Sequence, residues 1–430
     1  MKKVAFYTLG CKVNQYETEA MTELFINSGY ELSDFDSYAD VYVINTCTVT
    51  SMSDRKSRQI FRRAKKHNPD AIFAVTGCYA QTNPQAVLEI EDVNIIIGTK
   101  DRKNIVSLCE DITIDDKKSY VDDIMRTHEF EDLSISRYQE RTRAFIKIQE
   151  GCNQFCSYCI IPYARGPIRS RALNDVIEET KKLVENGYSE IIYTGIHVAS
   201  YGLDRGKAEL ADLLKIANDI EGIKRIRLSS IEPMTLNSEF VKEISECKKL
   251  CHHFHLSLQS GCDETLKRMN RKYTTAQYKE IVDGLRKQYP DVAITTDIMT
   301  GFPGETDEEF EKTLEFVKEI SFAEAHIFQY SPRKGTPAAK RSDQISPEIK
   351  EKRSKELIQI CKKSRDEFIS SFVGKTMEVL FEQPAKNGFF EGKTQNYITV
   401  YVKTNENLQG VFENVLIEKV SNGIAYGKIV

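Results

Sequence analysis

A chain of 430 residues is long for one domain and predicts two or three. With 40% hydrophobic and 29% charged residues it reads as an ordinary soluble protein, no apolar run is long enough to cross a membrane, and a net charge of −4 is not the overall balance of a nucleic-acid binder. Eleven cysteines, an odd number behind an N-terminus (MKKVAFYTLGCKVNQ) with no export signal, argue against a disulfide framework and for metal or redox chemistry in the cytoplasm.

Residues 1–115 alternate strand and helix. VAFYTL, VYVINT and IFAVTG are short β-branched and aromatic runs, separated by helical patterns such as ETEAMTELFINSG, which ends at Gly29. That order predicts a parallel α/β domain. Each strand runs directly into a cysteine: TLGC at Cys11, INTC at Cys47, VTGC at Cys78. Ligands of open α/β sheets collect beyond the carboxyl ends of the strands, so three strands deliver three thiols to one edge. A single buried cysteine is usually structural; three at equivalent places point to a metal site.

The charge is uneven. Residues 53–67, SDRKSRQIFRRAKKH, hold seven Lys/Arg against one Asp; residues 333–375 hold twelve bases against six acids. Either patch can meet phosphates or be a solvated helix face. Residues 110–132 are an acidic connector, with nine acids against three bases and one short strand candidate, SYVDDI.

Within a domain over 138–372, residues 144–335 repeat strand then helix about six times, with strands AFIKIQ, EIIYTG, IKRIRLSS, HFHLSLQS, AITTDIMTG and AHIFQYS. Asn174 and the Thr306/Glu309 box are predicted helix caps, and Ser346-Pro347 opens a last helix. The pattern predicts a partial (β/α)6 TIM-type barrel, with its chemistry on the loops after the strands. Cys152, Cys156 and Cys159 follow the first strand. Thr194 and Gly195 end the second, Glu232 follows the third, Ser257 and Gln259 lie in the fourth, and Asp297 lies in the fifth. After residue 373 the pattern becomes period two, in MEVLFE, YITVYVKT, VLIEKV and AYGKIV, which predicts a small all-β barrel over 373–430. Its six lysines match six glutamates, so charge does not decide whether it binds RNA or protein.

CNQFCSYC, residues 152–159, offers three thiols where structural zinc closes a site with four ligands. Cys247, Cys251, His252, His253 and His255 are the reserve for a fourth, and spacing alone leaves zinc open. The other reading is an iron–sulfur cluster with one iron left free for a small molecule. Cx3Cx2C after the first strand of a βα barrel resembles the signature of radical S-adenosylmethionine enzymes. With TLGCKVNQYET, NTCTVT, GCYAQ, CNQFCSYCIIPYARGPIRSR, SSIEP, HLSLQSG, GFPGET and a TRAM-like C-terminal barrel, nearly the whole chain resembles the radical S-adenosylmethionine methylthiotransferase family.

That resemblance implies two [4Fe–4S] clusters, on Cys152, Cys156 and Cys159 and on Cys11, Cys47 and Cys78. It implies S-adenosylmethionine as methyl donor and radical source, and a flavodoxin- or ferredoxin-type electron donor. Cofactor contacts are expected from Thr194, Gly195, Glu232, Ser257, Gln259 and Asp297, each of which is otherwise an ordinary barrel hydrogen-bonding group. TLGCKVNQYE resembles the MtaB branch, which acts at carbon 2 of N6-threonylcarbamoyladenosine beside the tRNA anticodon. The branch that modifies a ribosomal-protein aspartate carries GCPKN where this chain has GCKVN. A protein-modifying methylthiolase and a non-catalytic metal-containing RNA-binding protein are the alternatives. Arg55, Arg58 and Arg62 are candidates for anticodon-stem phosphates. Arg165, Arg169 and Arg171 are candidates for the threonylcarbamoyl carboxylate, with pairing to local acids or the cosubstrate as the other reading.

Overall fold

The computed structural model describes residues 1–48, 60, 62–90, 92–138 and 142–430. Its N-terminal strands are β1 (Lys3–Thr8), β2 (Glu31–Leu32), β3 (Val41–Thr46), β4 (Ile72–Gly77), β5 (Ile95–Ile97) and β6 (Lys118–Tyr120). All pair in parallel, in the order β2-β1-β3-β4-β5-β6. VYVINT opens on four apolar residues because β3 lies inside the sheet and is buried at every position. The SYVDDI segment contributes only the end of edge strand β6.

The second region contains β7 (Ala144–Glu150), β8 (Arg169–Ser170), β9 (Glu190–Gly195), β10 (Arg225–Leu228), β11 (His253–His255), β12 (Ala293–Thr300) and β13 (Glu324–Gln329). Parallel ladders join β7, β9 and β10, and again β11, β12 and β13. Single parallel bridges, Ile226 to Leu250 and Ile231 to Leu256, span the two sets. The six parallel strands form an open arc rather than a closed barrel. β8, which the pattern does not announce, folds back antiparallel on β7. Thr306 and Glu309 form the expected capping box, and Ser346 caps the helix Pro347–Ser370. Asn174 does not cap: the helix starts at Leu173, and Ala172 precedes it without a side-chain bond. Asn237 does cap the next-but-one helix, accepting from Phe240 N at 2.9 Å.

Five strands, β14 (Thr376–Pro384), β15 (Phe389–Thr394), β16 (Thr399–Lys403), β17 (Phe412–Ser421) and β18 (Ile424–Ile429), close into a barrel in the order β14-β15-β16-β18-β17. β15 is the strand missing from the sequence reading. Its alternation is broken by Gly392, where a Cβ would stand 2.5 Å from Val379 Cγ1. Among the described residues no helix is long and apolar enough to cross a membrane.

The turn between β15 and β16 docks this small barrel onto the starts of the large barrel's strands. Arg225 donates to Lys393 O (2.9 Å) and Glu378 O (2.7 Å), Arg227 donates to Gln395 O (3.1 Å), and Asn396 donates to Asp291 O (3.1 Å). Tyr397 stacks on His253 with ring centroids 4.7 Å apart and meets Arg227 and Arg143 at 4.7 and 5.5 Å. It sits at φ 68, which costs a non-glycine residue about 1–2 kcal/mol, so these contacts must outweigh the strain. Tyr397→Ala is expected to loosen the docking by about 2 kcal/mol, measured as faster proteolysis of the junction at 371–376. Unchanged cleavage would show that the backbone contacts suffice.

Candidate active site

The ends of β1, β3 and β4 fit together only through glycine. At Gly10 (φ +105) a Cβ would lie 2.9 Å from Cys47 Cβ and 3.0 Å from its Sγ. At Gly77 (φ +96) it would lie 2.4 Å from Thr46 O. The turns carrying Cys11 and Cys78 are thereby pressed against the segment that leads into Cys47. Asn14, on the first turn of the helix Lys12–Asn27, donates to Leu9 O (2.8 Å) and Thr46 O (3.0 Å), and its Oδ1 faces Cys11 Sγ at 3.8 Å. Cys11, Cys47 and Cys78 are close enough to bear on one another's charge. Burial pushes the Cys78 thiol up to about 12, against the pull of Arg165.

The second triad hangs from β7. Gly151 (φ +75) brings the chain so near the returning strand that a Cβ would stand 1.8 Å from Pro167 O. Three cysteines follow in a tight loop, with Phe155 at φ 46 and Cys159 N donating to Cys156 O at 2.9 Å. Gln154 N donates to Cys152 Sγ (3.5 Å), and Arg271 Nη1 to Cys156 Sγ (3.4 Å). Burial raises Cys152 to about 11 and Cys159 to about 12, so a metal centre must displace protons from both.

Each triad thus supplies three thiols and at least one hydrogen-bond donor aimed at sulfur, the donor set of a cluster-binding loop. Among the described residues no three Cys, His, Asp or Glu side chains gather closely enough to hold a single metal ion. Four of the five reserve ligands are engaged elsewhere. Cys251 is buried beside Arg227, His252 bonds Asp291, His253 stacks on Tyr397, and His255 Nε2 meets Asp297 Oδ2 at 3.0 Å.

Arg271, which no local pattern in NRKYT marks, organises the expected cofactor residues. Besides Cys156, its guanidinium reaches Glu232 Oε2 (3.0 Å) and Ser257 O (3.3 Å), and it lies over the Tyr273 ring at 4.9 Å. Burial works to raise the Glu232 carboxyl, but His197 and Arg271 outweigh it and hold the group below its ordinary range. Gln259, at φ 68, is buried with its Oε1 lacking a partner among the described residues. Thr194 is buried at the end of β9, and Gly195 packs on Gln149, where a Cβ would meet Gln149 O at 2.9 Å. Asp297 is occupied by His255.

The arginines after the second triad need correction. Arg165, Arg169 and Arg171 do not stand free for a substrate carboxylate; all three are buried against this chain's own groups. Arg171 pairs with Glu179 and with Asp132 (2.9 Å). Arg169 donates to Arg165 O (2.9 Å) and lies 3.6 Å from Glu150. Arg165, fully buried, crosses to the N-terminal domain, donating to Cys78 Sγ (3.2 Å), Asn14 Oδ1 (2.6 Å), Glu17 (2.5 and 3.0 Å) and Glu150 (2.6 Å). Arg62 is exposed; Arg55 and Arg58 lie outside the described residues. Part of the second basic patch faces inward, where Arg353 binds Glu305 (2.7 Å) and Asp307 (2.8 Å).

Arg165→Gln leaves two buried carboxylates short of a cation. It is expected to cost about 3–5 kcal/mol, read from the urea midpoint. Glu17 adds a pH dependence. Burial would raise its carboxyl, but Arg102, Arg165 and Lys147 prevail and hold it at about 2 against an ordinary 4.5. Its stabilising effect is therefore complete above the ordinary range and is lost as pH falls from about 4.5 toward about 2. Glu17→Gln is expected to flatten stability across that window, and equal acid sensitivity in the variant would remove Glu17 from the account.

Comparison with known proteins bears on the whole chain. The Radical SAM superfamily model matches residues 146–317, the TRAM domain residues 370–430, and an uncharacterized protein family, UPF0004, residues 3–98. A Bacillus subtilis protein named threonylcarbamoyladenosine tRNA methylthiotransferase MtaB is 43% identical, covering 100% of this chain and 97% of its own. An Aquifex aeolicus protein of the same name is 41% identical over 93% and 96%. A Clostridium novyi tRNA-2-methylthio-N(6)-dimethylallyladenosine synthase is 37% identical over 100% and 97%. Among solved structures, the radical S-adenosylmethionine methyltransferase TsrM of Kitasatospora setae shares the fold, with a TM-score of 0.58 at 15% identity over 79% of this chain and 74% of that one. The chain belongs to the radical S-adenosylmethionine methylthiotransferase family, in the branch of the relatives named MtaB.

Proposed function

We propose that this tRNA methylthiotransferase adds a methylthio group to carbon 2 of N6-threonylcarbamoyladenosine beside the anticodon, using two S-adenosylmethionine molecules and a [4Fe–4S] cluster on each cysteine triad. The observation that carries the two-cluster reading is Arg165. It ends the short helix Ile161–Arg165 after Cys159, and its Nε donates to Cys78 Sγ at 3.2 Å. The loop of one triad is tied to a sulfur of the other, as sulfur insertion into one substrate carbon requires. When bound, the two clusters supply the electron that cleaves S-adenosylmethionine and an open iron for the sulfur to be transferred.

The chain's own groups position the reactants. Glu232, kept ionised by His197 and Arg271, suits the ammonium of a bound amino acid moiety. Gln259 offers an acceptor unpaired among the described residues, and Ser257 and Thr194 add polar groups at the strand ends. Arg271 joins this set to Cys156, so cosubstrate and cluster are oriented by one rigid guanidinium. Arg62 and the neighbouring basic residues at 55 and 58 supply charge for anticodon-stem phosphates. A cytoplasmic flavodoxin- or ferredoxin-type protein is the fitting reductant.

Anaerobically reconstituted protein is expected to hold about eight irons per chain. Deleting the gene is expected to remove the methylthio form of threonylcarbamoyladenosine from digested tRNA, read by nucleoside mass spectrometry. An unchanged nucleoside profile with a mass gain lost from a ribosomal protein would move the substrate to protein. Cys156→Ala is expected to stop 5′-deoxyadenosine formation, whereas Cys47→Ala keeps it and loses the methylthio product. Equal loss of both in both variants would assign the triads a shared structural role.

A further inference from the structure

The residue after Cys11 is a lysine with no ion-pair partner among the described residues. Lys12 opens the helix Lys12–Asn27 and is exposed to the space between the N-terminal domain and the barrel. Its Nζ approaches the Phe145 ring at 5.8 Å, and Tyr397, Arg143, Arg227 and Glu190 all lie near enough to act on its charge. These residues share the inner face of the arc. Phe145 stands opposite Ile192 in the β7–β9 register, and Glu190 on β9 pairs with Arg227 on β10 at 3.0 Å.

The carboxylates there are already matched. Glu190 holds Arg227, Glu382 holds Arg143 at 2.8 Å, and Glu378 holds Arg225 at 3.0 Å. Lys393 donates a hydrogen bond to Thr399 Oγ1 (2.5 Å) and covers Tyr397. Among the described residues no carboxylate lies within ion-pair distance of Lys12. A cation left unpaired among compensated neighbours is a place for a ligand's negative charge.

We infer that Lys12 binds the carboxylate of an amino acid joined to N6 of the substrate adenine, and so selects acid-bearing adenosines over those with an apolar N6 group. The inference rests on the substrate reading above and adds the residue that recognises it. N6 and carbon 2 flank N1 on one edge of the base. A residue gripping the N6 substituent must therefore stand beside whatever delivers sulfur to carbon 2, and Lys12 adjoins Cys11 in the chain. It takes the role that Arg165, Arg169 and Arg171, all engaged internally, leave open.

The test crosses one protein change with one ligand change. Reconstituted full-length enzyme is titrated with an anticodon stem-loop carrying N6-threonylcarbamoyladenosine, or its methyl ester, and Kd is read by fluorescence anisotropy. Wild type is expected to bind the acid about tenfold more tightly than the ester or better. Lys12→Met and Lys12→Gln are expected to bind the two alike, and Lys12→Arg to keep the preference; iron content and thermal melting report that each variant is folded. A preference undiminished in Lys12→Met and Lys12→Gln overturns the subsite and leaves the substrate reading standing. A wild type indifferent to the carboxylate, with no methylthio product from either RNA, overturns both.

Discussion

Two carboxylates buried at the seam between the first two domains govern how the cysteine triads face each other. Glu17 comes from the helix that starts at Cys11, and Glu150 ends the strand that leads to Cys152. Both are fully buried, and around them stand Arg102 (2.6 Å from Glu17), Lys147 (3.1 and 3.3 Å), Arg165 and Arg169. Taking so many charges out of water is expensive, and a well-packed apolar seam of the same volume would be as stable or more so. What the ion cluster adds is direction. A guanidinium bonded at five points admits one relative placement of its partners, whereas an apolar surface tolerates sliding. The electrostatic contact therefore sets the spacing of two chemical centres, and its energetic cost is offset by burial in the apolar cores on either side.

The cluster also explains why the polar groups at the seam divide into two kinds. Arg165 and Asn14 touch the cysteine loops themselves, while Arg102 and Lys147 only complete the charge balance behind them. Arg271 plays on the barrel side the part Arg165 plays on the other. Each triad is approached by one arginine that bonds a sulfur with one nitrogen and a carboxylate with another. A donor on sulfur favours the thiolate form, and the carboxylate bonded to each arginine fixes its guanidinium's plane.

The cysteines were legible in the sequence because cluster chemistry admits few residue types and the fold admits few places for them, after strands that announce themselves by apolar runs. Glu190–Gly195 and Ile72–Gly77 match their sequence patterns end to end. The arginines were legible as charges but not in their roles. Arg165 finds Glu17 across 148 residues, and nothing near PYARG encodes that partner. Local reading leaves it between a ligand carboxylate and an acid of the chain, because the acid it pairs with lies far away in the sequence. Lys12 shows the converse. No motif singles it out in the sequence, and it stands apart only once the neighbouring carboxylates are seen to be taken. β15 was missed because Gly392 interrupts the alternation, and β8 because two residues carry no period at all.

An arc of six strands leaves a lumen that must be closed by other parts of the chain, and the two ends of the arc are treated differently. β7 is buried along its whole length by the N-terminal domain, whereas the inward residues His326 and Phe328 of β13 remain exposed. The floor is stopped by the Tyr397 turn of the small barrel, with His253 and Arg227 against it. The space is thus sealed below and on one side, and open above and along β13. Its polar lining runs from Glu232, Arg271 and the cysteines at the mouth to Arg143, Arg227 and their carboxylate partners at the floor. The small barrel thereby does more than extend the chain: its Tyr397 turn is the wall that closes the floor of the arc.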